Sequence, residues 1–521
     1  MAELTSRRTA GLPCTCAGRW SRTNGRIRMF EPLSAAPMRT LVRDALGAVL
    51  DTDASTVPSS LMYTAGSGHR AVLYADTTVV RAVPGMGKTF WARTLTDSQR
   101  RSVASREFQM PRLERTAAVV AFGSEPDPVQ VGPDELAALV AEGAAPVMVW
   151  TAVALTALGV TEMTVLPGWG ERIAWLVRNP GALERSVAAL DSAARSVNGD
   201  LVVVFDSLDR LHPDRTRADG LASGILQFAH DLAQLRTRVH AKVFIRPDMW
   251  ASALPFLTWA ARRSLRPVDL SWSAARGLHW DSASLYGLLF HLLGNHGSAE
   301  AATFRAMTPT WREAPDGRFA APEALCSDVK AQEAAFSLIA DPYMGANARK
   351  GYSYWWLPVA LQDALGQVTP RSFLATLHQA AIHADGRLGH GRALHHEDIR
   401  RGWQEGVRTR ARELDGTLPW VREALAALSG EQVPIEEERV FALWEQAGLL
   451  SRLRDRGGCA GASVTTGPRS VASHPALLDE LIELGIATRR TRNGLIDLPD
   501  PYRFLHGLGR RSGVKRVAHA A

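Results

Sequence analysis

Eight residues, Ala82-Val83-Pro84-Gly85-Met86-Gly87-Lys88-Thr89, set the tightest limit on what this chain can fold into. They match the phosphate-binding loop pattern G-x-x-x-x-G-K-[ST], with Ala82 in the place of the first glycine. Such a loop needs a short strand before it, expected within Tyr74 to Ala82, and a helix opening at Lys88 and running to about Leu95. Inward-pointing N–H groups and a helix N-terminus together attract anions. Gly85 and Gly87 let the main chain approach phosphate oxygens, Lys88 reaches the β and γ phosphates, and the Thr89 hydroxyl ligates Mg²⁺. The expected nucleotide contacts are Ala82, Gly85, Met86, Gly87, Lys88, Thr89 and, in the first helical turn, Phe90. The plain alternative is a strand-turn-helix corner whose glycines only turn the chain.

With 521 residues the chain exceeds what one hydrophobic core organises, so two or three domains are expected. No apolar run reaches the length of a membrane span, which excludes a helical membrane protein and points to a cytoplasmic one. Cys14, Cys16, Cys326 and Cys459 are too few and scattered for a disulfide framework, and none has metal-ligand spacing. The net charge of +7 rests almost wholly on arginine, the lysines being Lys88, Lys242, Lys330, Lys350 and Lys515. Charge of that origin says little about a nucleic-acid partner. Met1 to Arg28 is basic and lacks the apolar core of a secretory signal. It reads as a transit peptide, a disordered tail, or sequence ahead of a start at Met29 or Met38.

A short helix is expected at Pro37 to Leu46, then a Ser/Thr/Pro linker to about Ser60. After the loop, Thr116 to Phe122 and Asp200 to Asp206 are continuous apolar, β-rich runs of the kind buried on both faces. Between them helices are expected at Asp134 to Ala141 and Pro146 to Leu158, and two more across Glu171 to Val197, split at Asn179-Pro180. Helix Ala218 to Leu235, a strand His240 to Ile245 and a further strand Pro267 to Leu270 follow. Strands alternating with helices predict an α/β core, a parallel sheet with helices on both faces. Beyond Ser273 the pattern turns helical: Ser282 to Leu293, Ser327 to Ile339, Tyr354 to Ala364, Pro370 to Ala384 and a basic amphipathic Glu397 to Leu414. Asn295 to Arg318 looks irregular, and a Gly/Ser/Thr-rich gap spans Gly457 to Ser473. The expected divisions are residues 1–60 as tail and linker, 61–273 as the nucleotide core, 274–415 as a helical lid and 416–521 as a connector with a winged-helix-like domain.

A triphosphate site needs a second group for the metal, usually an acid at the tip of a buried strand; Asp206 caps Leu-Val-Val-Val-Phe in that way. In Ser207-Leu208-Asp209-Arg210, Asp209 is a candidate to orient the attacking water, or else a helix N-cap. Arg246 ends the fourth strand, where it would sense the γ-phosphate if that strand adjoins the one ending in Asp206; Asp248 could hold it. Thr369-Pro370-Arg371 starts a helix with proline in its first turn.

These residues together resemble a P-loop ATPase of the AAA+/STAND/KAP assemblage over roughly Leu73 to Ala384. The run Asp206-Ser207-Leu208-Asp209-Arg210 is similar to that of KAP-type and bacterial defence-associated ATPases. The resemblance implies ATP and Mg²⁺ as ligands, a nucleotide-driven lid and a homo-oligomer or a protein partner. It also implies that Arg371 contacts the γ-phosphate from the lid. AAA+ enzymes carry Glu where Ser207 stands, which bears on hydrolysis more than on binding. Arg262, Arg263 and Arg266 are candidates for an arginine finger.

Near the C-terminus, helix Pro475 to Leu484 is followed by an alternating Ile486 to Leu498 folded at Asn493-Gly494, similar to the end of a winged helix. Arg489, Arg490 and Arg492 would line its wing and Arg510, Arg511, Lys515 and Arg516 a basic tail. The helix is acidic at Asp479, Glu480 and Glu483, so DNA contact would rest on wing and tail. The expected function is an ATP-binding, ATP-hydrolysing conformational switch, in keeping with a bacterial defence or signalling system. The alternatives are a nucleotide-gated DNA-binding regulator with little turnover and a small-molecule kinase.

Overall fold

A computed structural model of the chain describes residues 20–23, 26–29, 32–50, 67–124, 130–272, 274–276, 279–281, 283–314, 316–387, 389–456 and 467–512. The basic tail, the linker before Ser60 and the gap from Gly457 lie wholly or partly outside these residues, and Lys515 and Arg516 entirely so.

Five strands form one parallel sheet: β1 (Val79–Arg81), β2 (Thr116–Phe122), β3 (Asp200–Phe205), β4 (Val239–Ile245) and β5 (Pro267–Asp269). Their spatial order is β2-β3-β4-β1-β5, so β1 lies between β4 and β5 and all five carboxyl ends share one edge. Alternation sends Val80, Val202, Val204 and Phe244 to one face and Val79, Val203, Phe205 and Val243 to the other, and each face is buried under helices. β1 is shorter than expected because the chain turns over Tyr74–Thr77 after a helix at Ser67–Leu73. The turn between them is fixed by buried Lys242, whose ammonium donates to the carbonyls of Val72 (2.8 Å), Tyr74 (2.7 Å) and Thr77 (2.8 Å).

One core joins the first face to α1 (Ala35–Leu50), α2 (Lys88–Thr96) and the helices after the sheet. The second face packs on α3 (Pro146–Ala157) and α4 (Arg215–Gln234), and α5 (Pro247–Ala253) follows β4. Past the sheet come α6 (Ala283–Asn295), α7 (Pro370–Ala384) and α8 (His396–Asp415), with α1 laid against α7. The connection after Asn295, expected to be irregular, contains a helix at Ala299–Met307 whose N-cap is Ser298. A third core unites residues between Leu414 and Leu508. It includes α9 (His474–Glu483), α10 (Asp500–Leu505) and a hairpin in which β6 (Thr488–Arg489) pairs antiparallel with β7 (Ile496–Asp497).

Candidate functional site

The loop between β1 and α2 is held by its own backbone and by the core beneath it. Gly85 and Gly87 have φ of 85° and 94°, a region that a side chain disfavours, and Gly87 is the N-cap of α2. Ala82 does not have positive φ, which is why alanine serves where the pattern carries glycine. Ala82, Met86 and Phe90 bury their side chains in the core, so only their main chain is available to a ligand. The Trp272 indole N–H donates to the Met86 carbonyl at 3.0 Å and fixes the loop from below. Lys88 donates to the carbonyls of Ala82 (3.0 Å) and Val83 (3.2 Å). Burial lowers its pKa to about 8, against the pull of Asp206 and Asp209.

Asp206 leaves the sheet at the tip of β3 and meets this loop. The Thr89 hydroxyl hydrogen-bonds its carboxylate, and burial raises its pKa despite that bond and the nearby Lys88. Its Oδ1 is buried with no hydrogen-bond partner among the described residues. Ser207 has φ 58° and turns the chain into a 3-10 turn, Leu208–Arg210. That turn leaves Asp209 within electrostatic range of Lys88 and Asp206. The N-cap of α4 is Asp214, whose carboxylate accepts from the Arg217 amide, and not Asp209.

β4 lies between β1 and β3, the adjacency that a sensing role for Arg246 requires. Arg246 is buried and grips Asp248 with two bonds, Nε to Oδ1 at 3.0 Å and Nη2 to Oδ2 at 2.8 Å. The chain of charge continues, because Arg215 Nη1 lies 3.1 Å from Asp248 and 3.5 Å from Glu480. Burial would raise the Asp248 pKa, but the two guanidiniums outweigh it and hold the carboxyl well below the usual range. Glu480 is on α9, so the expected acidic outer face of that helix in fact turns one carboxylate into the core. Burial pushes the Glu480 pKa up to about 7 against the pull of Arg215.

From the other side α8 reaches the loop. Arg410 Nη1 donates to the Pro84 carbonyl at 2.6 Å and lies 3.4 Å from Glu413. A Cβ on Gly85 would fall 2.6 Å from the Glu413 carboxyl carbon, so this glycine also leaves room for that acid. Glu413 hydrogen-bonds Thr369, the N-cap of α7, and feels the charge of Arg371 two residues on. Burial raises its pKa against those partners. Arg371 is exposed and within electrostatic range of Glu413. Arg410 also meets Asp363 (3.9 Å) and the Tyr502 hydroxyl (3.3 Å) of α10. Arg410, Glu413, Arg215 and Glu480 carry no motif; in the sequence they are ordinary charges on amphipathic helices.

The expected wing arginines are largely engaged. Arg489 pairs with Glu437 (2.9 Å) and Asp479 (3.6 Å), and Arg490 with Asp497 (2.5 Å). Arg510 pairs with Asp497 (3.5 Å) and Asp500 (3.2 Å), whereas Arg492 and Arg511 are exposed. No helix among the described residues is long and apolar enough to cross a membrane.

Sheet order and loop together define an α/β fold with a P-loop NTPase core, followed by a helical layer and a small C-terminal core. No protein-family model matches the chain, and neither does any curated protein. Among solved structures, the Aeropyrum pernix ORC2 protein in its ADPNP–ADP complexes is similar over 90% of this chain and 91% of that one, with 14% identity and a TM-score of 0.32. That likeness is too loose to bear on function.

Proposed function

We propose that the chain binds ATP with Mg²⁺ at the Ala82–Thr89 loop and hydrolyses it as a conformational switch. One observation carries this reading: Asp206, distant in sequence from Lys88 and Thr89, meets them at the carboxyl edge of the sheet, with the threonine hydroxyl on the aspartate. The residues suit magnesium. Asp206 offers Oδ1, which has no hydrogen-bond partner among the described residues, and Thr89 a hydroxyl, the hard oxygen donors this ion prefers. When bound, Mg²⁺ neutralises charge on the β and γ phosphate oxygens.

Lys88 would exchange its two carbonyl partners for phosphate oxygens, and the amides from Gly85 to Lys88 would cradle the chain of phosphates. Asp209 is the group for orienting the attacking water and accepting its proton as the γ-phosphorus bond to the bridging oxygen breaks. Arg246, anchored by Asp248, and Arg371, at the start of α7, answer the charge of the γ-phosphate from core and lid. Glu413 supplies the motion. A polyphosphate beside Gly85 repels this carboxylate and competes for Arg371, so the lid is driven to a second position. Assembly into oligomers is supported by Phe256 and Trp259, 60% and 71% exposed, beside the arginines from which a finger would come.

The test is calorimetry with ATP and GTP in magnesium, together with phosphate release, on the wild type and on Lys88→Ala and Asp206→Asn. Uptake and turnover by the wild type, lost in both variants, are expected; no uptake of either nucleotide sinks the reading. Phosphate appearing on an acceptor other than water would point to a kinase. Salt-dependent duplex binding without turnover, lost on removing the residues after Ser473, would point to a nucleotide-gated DNA regulator resting on Arg492 and Arg511.

A further inference from the structure

The start of α8 carries a second cluster, unconnected with the loop at its other end. Asp341 follows the helix Val329–Ile339, where the chain bridges to Leu394: the Asp341 amide donates to the Leu394 carbonyl and the Leu394 amide to that of Ile339, each at 3.0 Å. This bridge sets Asp341 beside His395, the N-cap of α8, and His396, its first residue. Asp341 Oδ2 lies 3.1 Å from His396 Nδ1 and 3.7 Å from His395 Nε2, while Oδ1 lies 2.8 Å from His390 Nε2. The donor atoms of Asp341, His395 and His396 all fall within 4.8 Å of one another. The rings of His395 and His396 are 3.9 Å apart and those of His390 and His395 4.9 Å apart.

We propose that Asp341, His395 and His396, with His390 adjoining the same carboxylate, form a binding site for a divalent transition metal of the zinc class. One carboxylate and two imidazoles are donors that Zn²⁺ takes in tetrahedral sites, with water in the remaining position. All four side chains are partly exposed, 16% to 26%, so an ion can reach them.

An outer partner is present too. His395 Nδ1 accepts from the Glu397 amide at 3.3 Å and lies 3.8 Å from the Glu397 carboxylate; with Nε2 on a metal, Nδ1 would carry the ring proton and exchange the amide for that carboxylate. The positive group nearby, Arg387, is already neutralised by Glu397 and Asp398, both at 3.0 Å. From His396 to Glu413 the helix runs about 26 Å at 1.5 Å per residue. The ion would therefore be separate from the one beside Asp206. It would staple the 340–341 bridge to the foot of the helix whose far end touches the loop.

The experiment uses the full chain freed of any affinity tag and stripped with a chelator. Zn²⁺ titration by calorimetry, and the visible spectrum of Co²⁺ as a stand-in, should show one equivalent bound in four-coordinate geometry. His395→Asn with His396→Gln, and Asp341→Asn alone, should each weaken binding by at least about tenfold. Asparagine keeps the N-cap, so the helix start survives, and circular dichroism checks the fold. Lys88→Ala and Asp206→Asn should bind zinc as the wild type does, which separates this site from the nucleotide site. No zinc uptake by the wild type, or unchanged affinity in the histidine double variant, overturns the proposal.

Discussion

Lys88 would make the proposed nucleotide site sensitive to pH. Burial brings its pKa to about 8, and only the ammonium form attracts phosphate. Negative phosphates beside it would raise that pKa, so the complex holds more protons than the free protein. Affinity for ATP is therefore expected to fall with rising pH, by up to about tenfold per unit between pH 8 and the higher pKa of the complex. Fluorescent-nucleotide titrations at several alkaline pH values read this directly, and a flat profile would contradict it. Gly85 is equally specific. Gly85→Ala forces a side chain into a positive-φ position and against Glu413, so nucleotide affinity should drop while the sheet remains folded. The loop was legible in the sequence because glycine, lysine and hydroxyl chemistry at fixed spacing has few other uses. The acid that faces it was not: Glu413 on an amphipathic helix looks like any solvated carboxylate until the fold turns it inward.

At the scale of elements, the contact between α7 and α8 decides where Arg371, Arg410 and Glu413 stand. Two glycines of α8 allow it: a Cβ on Gly402 would lie 2.7 Å from the Ala380 amide, and one on Gly406 2.7 Å from the Ser372 carbonyl. Gly406→Val should destabilise the protein by about 1–3 kcal/mol through overpacking. It should also weaken nucleotide binding, because the helix that carries Glu413 is pushed off its neighbour. Denaturant unfolding and calorimetry test the two effects separately, and an unchanged nucleotide affinity would show that α8 does not position the loop. Strand β3 could be read from the sequence since burial on both faces leaves an unbroken apolar run; β2 carries a similar run but, as the sheet's edge, buries only Thr116, Ala121 and Phe122, so the expected double cover holds for β3 and not for β2. Helix Ala299–Met307 could not, because only Ala301 and Phe304 of it are buried and its alanines carry little periodic signal.

Across the whole molecule, buried charge ties the nucleotide edge to the C-terminal core. Arg246, Asp248, Arg215 and Glu480 form a continuous path from the tip of β4 to α9. Arg215→Met takes the guanidinium from buried Asp219 and Glu480, while Asp248 keeps Arg246, and should cost about 3–5 kcal/mol, the usual range for breaking such a pair from one side. Arg215→Met combined with Glu480→Leu should recover part of that loss. If the path conveys nucleotide state, the double variant should also lose any ATP-dependent protection of the C-terminal segment from protease; protection equal to the wild type would mean the path is structural only. The Arg246–Asp248 pair was legible in the sequence, but its continuation through Arg215 was not, since Glu480 sits between Asp479 and Glu483 and reads as one more surface acid.

Arg410 has a consequence of its own. A single enclosed guanidinium is shared by the Pro84 carbonyl, by Asp363 and Glu413 of the helical layer, and by the Tyr502 hydroxyl of the C-terminal core. Were one of these to withdraw alone, a cation would be marooned away from water with too few companions. The three bodies are thus obliged to open in concert, like leaves on a common pin, and half-open forms should be scarce.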